Sequence, residues 1–331
     1  MACNFFFGIS NSSWTIMLFI SLNGLAQGTG WPGCIGSLAF WYKRKQRGSI
    51  LGIWSTCYQL GSVMATAFAA FMLGIAGWRW SFFGASIILL VIWFIVLILH
   101  PNRPGDVSLE PIEVEEDDAQ DKSINGDKLN WDKNVILTII TMGVIYFCIK
   151  FLRYALWSWV PFFLNRNFKI AGDDAGYLSI VFDICGFLGV ILSGYLSDKI
   201  FKGRRAFISF IMLVFMTLSF FMMYSMGSAG LLYFTISLGL AGFMLYGPDA
   251  LISGVGAIDV GSKKGALAAA GIINGMGSIG PIFQEQAFAR MYRAFNQDLL
   301  PIFMLFVVIA AISAALTSFL WIQGRRGRSK L

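Results

Sequence analysis

The sequence predicts an all-α integral membrane protein, and three observations predict it. Hydrophobic residues make up 57% of the 331 and charged residues only 13%, where a water-soluble domain holds about 45–50% and about 25%. Mean hydropathy is +0.69. Apolar stretches of about 20 residues, the length that crosses a bilayer as a helix, recur along the whole chain. Backbone in lipid has no water to bind, so each stretch must satisfy its own N–H and C=O groups as a helix. A transmembrane barrel would instead alternate over strands of about ten residues.

Taken in order, the spans read as 14–41, 48–76 and 80–99, then 135–163, 174–197, 206–226, 230–258, 265–288 and 299–323. Residues 1–8 read as the tail of an earlier helix. No basic residue precedes Lys43, so there is no secretory n-region, and the chain is expected to begin partway through a bundle. Residues 101–134 interrupt the pattern. They hold ten of the 18 acidic residues, bury no apolar area and read as a solvated linker. The expected organisation is an incomplete N-terminal helical half at 1–100, an acidic cytoplasmic linker at 101–134 and a six-helix C-terminal half at 135–331.

Charge sorts the connectors. Eighteen of the 25 Lys and Arg fall on alternate connectors, as in Lys43–Arg47, Lys199–Arg205, Lys263–Lys264 and Arg325–Lys330. The positive-inside rule makes that side cytoplasmic, with the C-terminus inside. The net charge of +7 therefore reflects membrane topology and not nucleic-acid binding. A weak internal repeat supports two related halves. Pro32 precedes Gly48 by 16 residues, Pro248 precedes Gly265 by 17, and a Gly-rich span follows each.

Several function classes lack their residues. No GxxxxGK[ST] loop occurs, so ATP hydrolysis has no support. The single histidine, His100, and five scattered cysteines form neither a metal cluster nor a catalytic triad. No enzyme activity, metal or cofactor is expected.

Charged and polar residues at membrane depth are the candidates for function. A charge near the bilayer centre costs roughly 2.5–3.5 kcal/mol on insertion scales, so it normally faces a cavity and marks a pathway. Lys150 and Arg153 are three residues apart on one helical face, and Trp157 continues it. Two cations there suit a phosphate monoester, whose oxygens match a guanidinium fork. Arg153 can equally be read as the partner of an acid, Asp183 being the obvious one. Lys150 has a second reading, in which it snorkels to the interface. Asp183, the only acid in the middle of its own span, can gate by holding Arg153, carry a proton or form a static pair. Asp249 follows Pro248, whose missing donor predicts a kink, and a local capping role is open beside a coupling role. Glu285, between Gln284 and Gln286, reads as an interface or an outer gate. Tyr58, Gln59, Tyr246 and Asn274 offer hydrogen bonds for a glycerol- or sugar-sized ligand.

Four stretches carry a family resemblance. They are GTGWPGCIGSLAFWYKRKQRGSILGIWSTCYQLG (28–61), FLRYALWSWVPFFL (151–164), GYLSDKIFKGRRA (194–206) and YGPDALISGVGAIDVGSKKGALAAAGIINGMGSIG (246–280). The third, with Gly194, Asp198, Lys199, Gly203, Arg204 and Arg205, resembles the cytoplasmic signature loop of the major facilitator superfamily. Together they look like its organophosphate:phosphate antiporter family. The resemblance implies a twelve-helix bundle of which about nine helices are present, from the end of helix 3. It implies exchange of a small organophosphate for inorganic phosphate by alternating access, in the lipid bilayer of a cell membrane, and a monomer is expected. It places the phosphate-binding basic residue of the second half at Arg153, with its counterpart upstream of residue 1. A carboxylate of the eighth helix falls at Asp183 and a cavity tyrosine of the tenth at Tyr246. Tyr58 stands where the glycerol-3-phosphate exchanger has a substrate-contacting histidine, and Lys150 where it has a tyrosine, so glycerol-3-phosphate specificity is not implied. Two alternatives stay open: a proton-coupled carboxylate or sugar-acid symporter of the same superfamily, and a transporter-like sugar-phosphate sensor.

Overall fold

Every regular element among the described residues is helical, as lipid-embedded backbone requires. The computed structural model describes residues 1–27, 57–101, 104–108, 131–201 and 204–326. The α-helices are α1 (Ala2–Ile9), α2 (Ser13–Gln27), α3 (Cys57–Ala76), α4 (Trp78–Leu99), α5 (Lys133–Phe168), α6 (Gly172–Tyr195), α7 (Arg205–Met226), α8 (Leu231–Ala250), α9 (Ala257–Ala294) and α10 (Leu300–Arg325). Short 3-10 turns lie at Pro104–Val107 and Gly227–Ala229, and π-helical turns follow α6 at Leu196–Ile200 and α8 at Leu251–Gly256.

Among the described residues, six spans are long and apolar enough to cross a membrane: Trp78–Leu99, Lys133–Phe168, Gly172–Tyr195, Arg205–Met226, Leu231–Gly254 and Leu300–Arg325. The sequence suggests nine; two of the other three run into residues outside those described. The first apolar stretch yields only α2 within the described residues, and the second yields α3, whose apolar part is Leu60–Ala76. The stretch 265–288 lies inside α9, where Asn274, Gln284, Glu285 and Gln286 dilute its hydropathy. The first repeat copy, from Pro32 to Gly48, lies outside the described residues. So do Gly203 and the side chains of Asp198, Tyr58 and Gln59.

The chain divides into two compact units, residues 1–126 with 172–176, and residues 127–171 with 177–331. In the first, α1 lies on α4 through Phe5–Phe83 (5.2 Å between ring centroids) and Phe7–Phe82 (4.3 Å). Gly77, at φ 84°, turns the chain from α3 into α4. Every side chain from Ile87 to Leu99 is exposed. Leu, Ile, Val and Phe around the whole circumference of a helix suit a lipid solvent.

In the second unit the tightest contacts are made through glycine. A Cβ on Gly280 of α9 would stand 2.5 Å from the carbonyl oxygen of Phe147 and 3.2 Å from the amide nitrogen of Phe151, so α5 and α9 touch backbone to backbone. The pair runs parallel: Gly143 faces Met276, Trp159 faces Phe288 and Phe162 faces Tyr292. α6 and α8 form a second parallel pair, with Gly189 against the Phe243 carbonyl and Gly242 against that of Phe182. α7 and α10 pack antiparallel, Phe220 on Phe306 and Phe207 on Trp321. Buried Phe163, Phe234, Phe288, Phe303 and Phe306 join α5, α8, α9 and α10 into one aromatic core. Small residues at close crossings let dispersion hold helices together where lipid offers no hydrophobic drive.

The departure from regular helix expected near Pro248 takes the form of the π-helical turn Leu251–Gly256, which begins three residues later. In the signature loop, Gly194 lies in the last turn of α6, Lys199 is exposed in the first π-turn, Arg204 caps α7 and Arg205 opens it.

Candidate functional site

Lys150, Arg153, Asp183 and Asp249 converge where α5, α6 and α8 contribute one turn each, beside Asn274 and Ser278 of α9. α5 supplies Tyr146, Lys150 and Arg153, at spacings of four and three, so they share a face. Arg153 donates from Nη1 to Asp249 Oδ2 at 3.0 Å. Its guanidinium also lies over the ring of Tyr246, 4.6 Å from the centroid, a favourable cation–π placement. The Tyr246 hydroxyl donates to Asp183 Oδ1. A continuous series therefore runs from Asp183 through Tyr246 and Arg153 to Asp249. Asp183 is 2% exposed and Asp249 8%.

Asp249 is thus the carboxylate that faces Arg153, the place expected from sequence for Asp183. α8 brings both Tyr246 and Asp249 to Arg153 because they lie three residues apart on one face, and the Tyr246 side chain stands between Arg153 and Asp183. Asp249 is not a local cap: its carboxylate reaches across to α5, and only its backbone carbonyl serves its own helix, accepting from Ser253 at 2.7 Å. The second carboxylate oxygen, Oδ1, is buried and has no hydrogen-bond partner among the described residues.

Lys150 does not snorkel. It is 8% exposed, and Nζ donates to Asn274 Oδ1 at 2.7 Å and Ser278 Oγ at 2.9 Å. Ser278 and Asn274 lie one turn apart on α9, and the Ser278 hydroxyl also bonds the Asn274 carbonyl. Nζ is 5.0 Å from the Tyr146 ring centroid. This ammonium is held by neutral acceptors and an aromatic face. Such a buried cation is incompletely compensated and favours the arrival of an anion.

Trp157 is 53% exposed and packs its edge on Tyr154; it lies two turns from Lys150. Glu285 accepts from Ser158 Oγ at 3.1 Å and from Trp159 Nε1 at 3.1 Å, a link between α5 and α9. Sequence reasoning misses Tyr146 and Ser278. Their only signal is helical spacing: Tyr146 is one turn before Lys150, and Ser278 one turn after Asn274. It also misses Gln284 as a core residue, fully buried with neither amide atom bonded among the described residues. Among the described residues no group of three or more His, Cys, Asp or Glu is placed to hold a metal.

Comparison with known proteins agrees with this architecture. The glycerol-3-phosphate transporter of Bacillus subtilis is 31% identical over 303 residues, which cover 87% of this chain and 66% of that protein. Human sugar phosphate exchanger 3 is 26% identical over 303 residues, covering 81% of this chain and 60% of that protein. The chain thus spans somewhat less than two thirds of the length of these relatives. Among solved structures, a bacterial homologue of the human lysosomal transporter Spinster, inward-facing and unoccupied, has a TM-score of 0.68 at 17% identity. That match covers 99% of this chain and 81% of the other, and it concerns the fold. The profile of the Major Facilitator Superfamily matches residues 1–285, a stretch that takes in the whole Lys150–Arg153–Asp183–Tyr246–Asp249 cluster, and the chain belongs to that superfamily of multi-pass membrane proteins.

Proposed function

We propose that this protein is a secondary transporter that exchanges a small organophosphate for inorganic phosphate by alternating access. The observation that carries the reading is the pair Lys150 and Arg153 on one face of α5: two cations in a membrane-spanning helix, of which Arg153 bonds the carboxylate of Asp249 and Lys150 bonds neutral acceptors. The names of the relatives, a glycerol-3-phosphate transporter and a sugar phosphate exchanger, support the substrate class. A phosphoryl group competes with Asp249 for the Arg153 fork and takes a donor from Lys150. Asp249 sits between Pro248 and the π-turn Leu251–Gly256, so its release from Arg153 transmits occupancy to α8. Tyr246 keeps Arg153 on its ring throughout, and Asp183 holds Tyr246. An unoccupied pair of cations is costly to seal from water, which favours exchange over net movement. Asn274 and Tyr246 supply hydrogen bonds for the ester group, with Tyr58, Gln59 and Trp157 as further candidates. The protein resides in the cell membrane as a monomer with its C-terminus in the cytoplasm, the orientation favoured by the Lys and Arg distribution.

The test is exchange of radiolabelled phosphate in proteoliposomes. Arg153→Ala is expected to cost about 2–5 kcal/mol of anion binding, the scale for removing one partner of a buried charge pair. Exchange by Arg153→Ala at the wild-type rate refutes the reading. The buried Asp183–Tyr246 bond supports a second reading, proton-coupled symport of a carboxylate. Uptake driven by a pH jump and insensitive to phosphate would select it.

A further inference from the structure

α7 begins where α10 ends, and between them lies a cavity of about 550 Å3 lined by Arg204, Phe207, Trp321, Gly324 and Arg325. It is separate from the Lys150–Arg153 cluster and shares no residue with it. Its floor is aromatic. The Phe207 ring lies 5.0 Å from that of Trp321, and Phe210 stacks on the same indole at 5.8 Å with an interplanar angle of 13°. The Arg325 guanidinium stands 5.7 Å from the indole centroid. Arg204 and Arg325 are both exposed, and neither has a carboxylate within salt-bridge distance among the described residues.

Two guanidiniums without a counter-ion among the described residues therefore flank an aromatic floor at the ends of two membrane-spanning helices. Each chemical feature selects part of a ligand. Guanidinium forks match the oxygens of a phosphate group. Basic residues beside a membrane span attract anionic lipid, and pockets between helices receive its head groups. Trp at a span end sits at head-group depth, with an apolar face for the glycerol backbone and the first methylenes. Inorganic phosphate would engage the arginines alone and leave the floor of Phe207 and Trp321 in water. We propose that this cavity binds the head-group phosphate of an anionic phospholipid.

The experiment is native mass spectrometry of the purified protein with short-chain phosphatidylglycerol, phosphatidylcholine or inorganic phosphate. At about 1 kcal/mol per basic residue, each arginine is worth about fivefold and the two together about 25-fold. Phosphatidylglycerol is expected to be retained in preference to phosphatidylcholine and to bind about 25-fold more weakly to Arg204→Gln/Arg325→Gln. A photo-crosslinking phosphatidylglycerol on the unmodified protein is expected to label the segments around Phe207 and Trp321, which keeps the test decisive if the double variant does not fold. Equal retention of the two lipids, undiminished binding by a folded double variant, or labelling elsewhere overturns the proposal. So does displacement of the lipid by an equal concentration of inorganic phosphate, which would make the cavity a site for small anions.

Discussion

Tyr246 joins the two carboxylates of the cluster: its ring lies beneath Arg153, which holds Asp249, and its hydroxyl is donated to Asp183. Tyr246→Phe keeps the ring and removes that donor from a buried carboxylate. It is expected to lower stability by about 1–3 kcal/mol, read as a lower Tm in detergent, while Arg153 stays on the ring and phosphate still binds. Asn274 plays a parallel part for Lys150. Asn274→Leu preserves the volume and deletes the acceptor 2.7 Å from Nζ. A hydrogen bond to a charged group is worth about 1.5–3 kcal/mol, so phosphate affinity is expected to fall roughly tenfold or more as Lys150 loses its position, measured by exchange kinetics in proteoliposomes.

Among the elements, α5 and α9 set the geometry of the cations, because Lys150 on one is held by Asn274 and Ser278 on the other. Their spacing depends on Gly280, where any side chain meets the Phe147 carbonyl. Gly280→Val is expected to destabilise the protein by about 1–3 kcal/mol through overpacking and to weaken phosphate exchange at the same time by separating Lys150 from its acceptors. Gly271 of the same helix is the control, since a Cβ there would meet nothing within 4 Å. Gly271→Ala is therefore expected to be neutral or to stabilise by up to about 1 kcal/mol from helix propensity. Thermal unfolding of the two variants side by side separates contact from propensity. Pro248 and the π-turn Leu251–Gly256 give α8 a built-in irregularity beside Asp249, and π-turns inside helices recur at functional sites.

For the molecule as a whole, ligand and stability are linked. If phosphate binds the folded protein alone, a concentration 100 times Kd adds about 2.7 kcal/mol. Phosphate is thus expected to raise Tm in the wild type and to leave that of Arg153→Ala unchanged, a comparison that needs no transport assay. Much of the fold is legible in the sequence, since composition and span length alone force a membrane bundle. The site is legible in part. Lys150 and Arg153 stand out because charge is costly in hydrocarbon, whereas Tyr146 and Ser278 carry no charge to mark them. Asp249 reads as local in the sequence because its neighbour Pro248 explains an acid there without any distant partner.

The linear order of residues determined that this chain lies in lipid as helices, that one helix carries two cations on one face, and that two acids lie at membrane depth on other helices. These follow from hydropathy and from the 3.6-residue period, both local properties. Tertiary structure decided which acid meets which cation. That choice depends on the parallel pairing of α5 with α9 and of α6 with α8, and on close approach at Gly280, Gly189 and Gly242. Pairing across 96 residues, as between Arg153 and Asp249, is fixed by how the helices pack, and no periodicity within one helix encodes it.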